Sequence, residues 1–102
     1  MASSEEYLAY VMELVAGVPG VSVRKMMGEY LLYADGKVFG GVYDDRFLVK
    51  DTAASRAVLG VEEIPYEGGK PMRLVDIEDP RAVAEMVAQM LVELPEPRQK
   101  KG

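Results

Sequence analysis

The sequence contains no cysteine, no histidine and no tryptophan. Without cysteine there is no disulfide staple, no thiolate metal site and no sulfur nucleophile, and a reducing compartment is compatible with the chain. Without histidine the usual general base near neutral pH and the commonest transition-metal ligand are gone, which leaves carboxylates, lysines and tyrosines for any chemistry. Long apolar runs are missing too. No segment approaches the roughly eighteen apolar residues of a membrane span, and Met1-Ala2-Ser3-Ser4-Glu5-Glu6 lacks the basic and then apolar pattern of a secretory leader. The expectation is a cytoplasmic protein without membrane contact, metal or other cofactor.

What is present fits one folded unit. Hydrophobic residues make up 49% and charged residues 28% of the 102 residues, enough apolar surface to bury a core. A single domain is expected over residues 1–94, followed by a polar, proline-broken tail at 95–102 that is expected to be disordered. The net charge of −5 deepens to about −7 through residue 94, where nine Lys/Arg face sixteen Asp/Glu. Such a surface repels a phosphate backbone unless its cations cluster on one face.

Ser3 and Glu6 have the spacing of a capping box, and Tyr7, Val11, Leu14, Val15 and Val18 recur at three- and four-residue intervals, predicting a first helix with one buried face. Gly17 and Pro19-Gly20 are read as its end. From Met26 the pattern becomes that of strands, expected over 26–34, 37–43 and 46–50, with reversals at Asp35-Gly36 and Asp44-Asp45. A continuous ladder pairs Leu32 with Phe39, Tyr33 with Val38, Val42 with Phe47 and Gly40 with Val49. It places Leu31, Tyr33, Val38, Val42, Phe47 and Val49 on one face, the better core candidate, and Tyr30, Leu32, Phe39, Tyr43 and Leu48 on the other. Gly40 and Gly41 in the middle strand suggest a bulge or a close approach.

Asp51 or Thr52 can cap a short helix ending near Gly60, and Ile64-Pro65-Tyr66 and Met72 to Ile77 read as two strands joined by a glycine-rich turn. Asp79-Pro80 opens a last amphipathic helix through Val83, Met86, Val87, Met90, Leu91 and Leu94, which stops before Pro95. The resulting order is α-β(3)-α-β(2)-α, an α+β fold of two layers with an antiparallel sheet.

Nothing in this pattern specifies a reaction. Lys70 follows Gly68-Gly69, but Pro71 stands where a phosphate loop needs Ser or Thr at a helix start. The acidic groups at Asp44-Asp45, Glu62-Glu63 and Asp76-Glu78-Asp79 lack the spacing of a cation cage, and no serine or threonine has a histidine partner. No catalytic, cofactor-binding or metal-binding residues are therefore assigned. Arg24, Lys25 and Lys70 are the candidates for contact with an anion or nucleic acid. The apolar face of Tyr30, Leu32, Phe39, Tyr43 and Leu48 is the candidate for homodimerisation or binding of a protein partner, because a sheet face left uncovered by helices marks an association surface.

Arg24-Lys25-Met26, Gly28, Tyr30, Tyr33-Ala34-Asp35-Gly36, Phe39, Pro65-Tyr66 and Gly69-Lys70-Pro71-Met72 resemble the TfoX N-terminal domain family, also called TfoX/Sxy. The resemblance runs from the first helix to the last, with Met27 where members often carry an aromatic residue and Leu31 where many carry glycine. It implies a secretion-chaperone-like two-layer domain, a bacterial or related source and a link to regulators of natural competence. The expected function is that of a small, non-enzymatic regulatory or protein-interaction domain. The alternatives are direct nucleic-acid binding through Arg24, Lys25, Lys37, Arg46, Lys50 and the tail, or a small-ligand protein or enzyme.

Overall fold

Three successive two-residue turns fold the chain between Val21 and Lys50 into a meander in the computed structural model, which describes residues 3–95. Its strands are β1 (Val21–Met26), β2 (Glu29–Ala34), β3 (Lys37–Val42) and β4 (Phe47–Lys50). Met27-Gly28, Asp35-Gly36 and Asp44-Asp45 all have positive φ, the combination whose twist matches that of antiparallel strands. The turns at Asp35-Gly36 and Asp44-Asp45 thus lie where the sequence put them. The strand expected over 26–34 is instead two strands folded on each other about Met27-Gly28. Arg24 and Lys25 accordingly lie within an edge strand rather than before a strand.

The remaining elements are α1 (Glu5–Leu14), α2 (Ala53–Val58), β5 (Glu62–Glu63), β6 (Met72–Leu74) and α3 (Pro80–Glu93). The strands form one antiparallel sheet in the order β1-β2-β3-β4-β6-β5. The α+β fold with an antiparallel sheet is as expected, with four strands rather than three before α2. The strand expected at Ile64-Pro65-Tyr66 lies two residues earlier, at Glu62-Glu63, because Pro65 has no N–H to give to a ladder.

One irregularity sorts the side chains. Tyr33 pairs with Val38, but Leu32 pairs with Gly40, so Phe39 is an extra residue in β3 and the register slips there by one. The expected pairs Tyr33–Val38, Val42–Phe47 and Gly40–Val49 form, and the expected pairing of Leu32 with Phe39 does not, because β2 and β3 slip past each other at Phe39. Phe39 and Val42 both fall on the helix-covered side, where they join Tyr30, Leu32 and Ala34 of β2, Phe47 and Val49 of β4, and the buried stripes of α1 and α3. Leu31, Tyr43 and Leu48 fall on the other side with Met72 and Leu74. The two expected faces are both mixed: Tyr30, Leu32 and Phe39 leave the candidate association face, and Leu31, Tyr33 and Val38 leave the candidate core. All three helices contribute to the first cluster and none to the second, so the sheet has one covered and one open face.

The two glycines beside the slip have separate reasons. A Cβ on Gly40 would lie 2.4 Å from the Leu48 carbonyl oxygen, on the covered side. On Gly41 it would lie 2.5 Å from the Tyr30 carbonyl oxygen and 2.9 Å from the Tyr43 ring, which folds back over this glycine on the open side.

The helices are fixed at their ends. The expected capping box of Ser3 and Glu6 is not formed: the Ser4 hydroxyl caps α1 by accepting from the Tyr7 N–H, and Ser3 does other work. Its hydroxyl donates to Glu29 at 2.6 Å and accepts from the Asp45 N–H, charge-assisted bonding that a cap does not offer. α1 ends at Leu14, before Gly17, which lets Val15 and Val18 turn into the core. Thr52 caps α2 in a reciprocal box with Ser55, and Asp79 caps α3 with Pro80 in its first turn. Gly60 is not a left-handed terminator, since α2 closes on Leu59 in extended conformation. The Asp51 carboxylate accepts from Arg56 at 2.8 Å and from Arg73 at 3.1 Å, tying α2 to β6. Of the expected tail, only Pro95 lies within the described residues.

Two outcomes follow from this packing. Gly41→Ala should lower stability by about 1–3 kcal/mol, whereas Gly60→Ala, whose Cβ meets nothing within 4 Å, should change it by less than about 0.5 kcal/mol. Urea unfolding reads both, and equal losses would contradict the packing described. Arg56 first, and Arg73 after it, hold the Asp51 carboxyl below its usual range against the opposing effect of burial. A group with a depressed folded pKa stabilises above its unfolded pKa and loses that contribution as the pH falls through the folded value. Asp51→Asn should therefore cost stability at neutral pH, with a deficit that vanishes in acid. A deficit independent of pH would contradict the ion pairing.

Candidate functional site

The open face becomes a groove because a loop folds over part of it. Residues 64–71 connect β5 to β6, and the Tyr66 N-terminal side of this loop is turned back by a hydrogen bond from the Gly69 N–H to the Tyr66 carbonyl at 2.8 Å. Gly68 supplies the positive φ of 85° that such a turn needs at its third position. The turn holds the Tyr66 ring beside Tyr43, with centroids 6.0 Å apart and planes inclined at 54°. Tyr43 is 8% exposed and Tyr66 61% exposed, so one ring is floor and the other is wall. Burial pushes the Tyr43 hydroxyl above its ordinary pKa, with Tyr66 and Glu29 adding to the effect, and the phenol stays neutral.

Arg46 holds this wall in place. Its guanidinium donates to the Glu63 carboxylate at 2.6 Å, to the Ile64 carbonyl at 3.2 Å and to the Pro65 carbonyl at 3.1 Å, and its Nε donates to the Tyr43 carbonyl at 3.2 Å. One planar fork thus joins the β3–β4 turn to the start of the loop, a task for which a lysine lacks donors in the right directions.

The groove has a volume of about 960 Å³. Leu31, Val38, Tyr43 and Met72 form its floor, Pro65, Tyr66 and Pro71 its loop side, and Lys50, Lys70, Arg56, Asp51 and Glu93 its charged rim. Of the expected site residues, Tyr43 and Lys70 line this groove together, and Leu48 lies buried beneath it in the same cluster as Tyr43. Tyr30, Leu32 and Phe39 are in the core under the helices. Arg24 and Lys25 are exposed on β1, the edge strand, and take no part in the groove lining. Arg46 is committed to the loop, and Lys37 donates to the Leu91 carbonyl at 2.9 Å. Of the cations weighed for nucleic-acid contact, Lys50 and Lys70 share the groove rim, and Arg24, Lys25, Lys37 and Arg46 are not part of its lining.

Tyr66 and Met72 line the groove without having been expected as site residues, and Lys50, weighed for nucleic-acid contact, lines it too. An aromatic residue between Pro65 and Gly68-Gly69 in a polar segment was the available signal for Tyr66. Among the described residues, no group of three or more His, Cys, Asp or Glu converges on a metal-sized site, and no helix is long and apolar enough to cross a membrane.

With this geometry established, comparison with known proteins places the chain. The sequence profile of the TfoX N-terminal domain matches residues 13–89, which take in the whole sheet, the loop over its open face and most of α3. An uncharacterised 12.7 kDa protein in the trpE 5′ region of Spirochaeta aurantia is 34% identical over 106 residues, covering 100% of this chain and 92% of that protein. No solved structure matches the chain. On the extent of the profile match and of this relative, the chain belongs to the TfoX N-terminal domain family.

Proposed function

We propose that this protein is a non-enzymatic association domain with a regulatory role, in the setting of natural competence or transcription regulation that its family name suggests. Its partner is another protein or a second copy of the chain, and the working surface is the open sheet face. The observation that carries this reading is the groove between the sheet and the loop at 64–71, whose apolar floor no helix covers. Leu31 and Val38 on this floor stay partly exposed, and apolar surface left open in this way is recovered on association. The exposed Tyr66 on the wall has the character of an interface anchor, a large ring with few rotatable bonds beside an apolar floor.

Direct contact with nucleic acid has less support. Arg24 and Lys25 stand on the far edge strand, Arg46 is bound into the loop, and the whole chain carries a charge of −5. Spread cations on an acidic molecule give a weak field for a phosphate backbone.

Incorporating a photo-crosslinking amino acid at Tyr66 tests the association reading in the producing cell. A discrete protein adduct, or a homodimer, should form from position 66 and be absent from Val92, which is 83% exposed on α3 and does not line the groove. Arg46→Lys should weaken that adduct by releasing the wall while keeping the charge. Absence of any adduct at position 66, or equal adducts at 66 and 92, would count against the reading.

A further inference from the structure

We infer that the groove receives an acidic segment of a partner protein, bound in extended form with a carboxylate at Lys50 and Lys70 and an apolar side chain against Tyr66. This rests on the association reading and names the chemistry of the partner. The argument comes from the state of the five charged residues around the rim. Asp51 is paired with Arg56 and Arg73. Both oxygens of Glu93 are taken by the N–H groups of Ala53 and Ala54 at 2.9 and 3.0 Å, the unsatisfied donors of the first turn of α2. Arg56 is balanced by Asp51. Lys50 and Lys70 remain, and the side-chain ammonium of neither has a hydrogen bond or an ion pair among the described residues.

The register brings these two lysines to one end of the groove. Lys50 pairs with Met72 across β4 and β6, and Lys70 is two residues before Met72 on the approach to β6. A protein with an overall charge of −5 therefore has, beside this apolar groove, two cations whose ammonium groups have no acceptor among the described residues. An incoming carboxylate finds donors there, whereas an incoming ammonium finds carboxylates that are already occupied.

The floor sets the length of what binds. It draws on β2, β3 and β6, with β4 between the last two, so it crosses four neighbouring strands. Three interstrand spacings of about 4.8 Å make about 14 Å, which about four extended residues cover. A segment this short needs one or two cations. A phosphate backbone brings a charge with every nucleotide and would have to lie along the acidic remainder of the surface, so the peptide is favoured over the nucleic acid.

Panning a random-heptapeptide phage library against the full chain tests the inference. Enriched sequences should carry Asp or Glu next to Leu, Phe, Tyr or Met. A synthetic peptide of the leading sequence should shift the amide signals of Lys50, Tyr66, Gly69 and Lys70 in a nitrogen-15 titration. The double variant Lys50→Glu/Lys70→Glu, altered only at the rim, should bind that peptide about tenfold more weakly or worse. It should gain affinity for a counterpart peptide with Lys in place of the acids, an exchange that mere loss of structure does not produce. Enrichment of basic or purely apolar sequences, no enrichment, indifference to the charge reversal, or displacement of the peptide by oligothymidylate at equal concentration would overturn it. If the adduct at Tyr66 forms while the acidic preference fails, the association reading stands and the assignment of an acidic partner falls. Loss of the adduct removes both.

Discussion

A single unpaired residue, Phe39, decides which apolar side chains are buried by the helices and which remain on the open face. Side chains alternate along a strand, so one extra residue inverts every position beyond it. Val38 stays with Tyr33 on the open side, while Phe39 and Val42 both point under α3. The inversion also sets the place of Tyr43, whose ring needs the missing Cβ of Gly41 to lie down on the sheet. The floor of the groove, the ring that covers part of it and the glycine that makes room are consequences of the same slip.

The wall depends on a different kind of interaction. The loop at 64–71 has little apolar contact of its own apart from Pro65 and the two tyrosine rings, and it is kept over the sheet by the multiple donors of Arg46 and by the turn at Gly68-Gly69. Two of the segments that carry the family resemblance, Pro65-Tyr66 and Gly69-Lys70-Pro71-Met72, belong to this loop and to the groove beside it. They shape a surface that presents an apolar trough, a phenol, and two lysines whose ammonium groups have no partner among the described residues.

Much of the fold was legible because it is locally encoded. Asp79-Pro80 and Pro95 bracket α3, Thr52 caps α2, and Asp35-Gly36 and Asp44-Asp45 fix two turns, since each depends on a few adjacent residues. The turn at Met27-Gly28 was not legible, because a methionine at φ 52° carries no turn signal and costs conformational energy that only the flanking ladder repays. The slip at Phe39 was hinted at by the glycine pair, but strands apolar on both faces gave alternation nothing with which to locate it. Of the candidate site, Tyr43 and Lys70 were named in advance without any sign that they lie together. Their meeting depends on a loop folding back over the open face, a nonlocal event that no spacing in the sequence expresses.

The partition of the sheet is most directly tested by cysteine labelling, which the chain suits because it has no thiol of its own. An uninterrupted ladder would put Val38 and Val42 on the same face, and the slip at Phe39 puts them on opposite faces. Single Val38→Cys and Val42→Cys variants should therefore differ under native conditions. The thiol at 38, on the groove floor, should react directly with a soluble disulfide reagent, and the thiol at 42, fully buried, only at the rate at which the protein opens globally. Equal labelling of the two, or faster labelling at 42, would contradict the account.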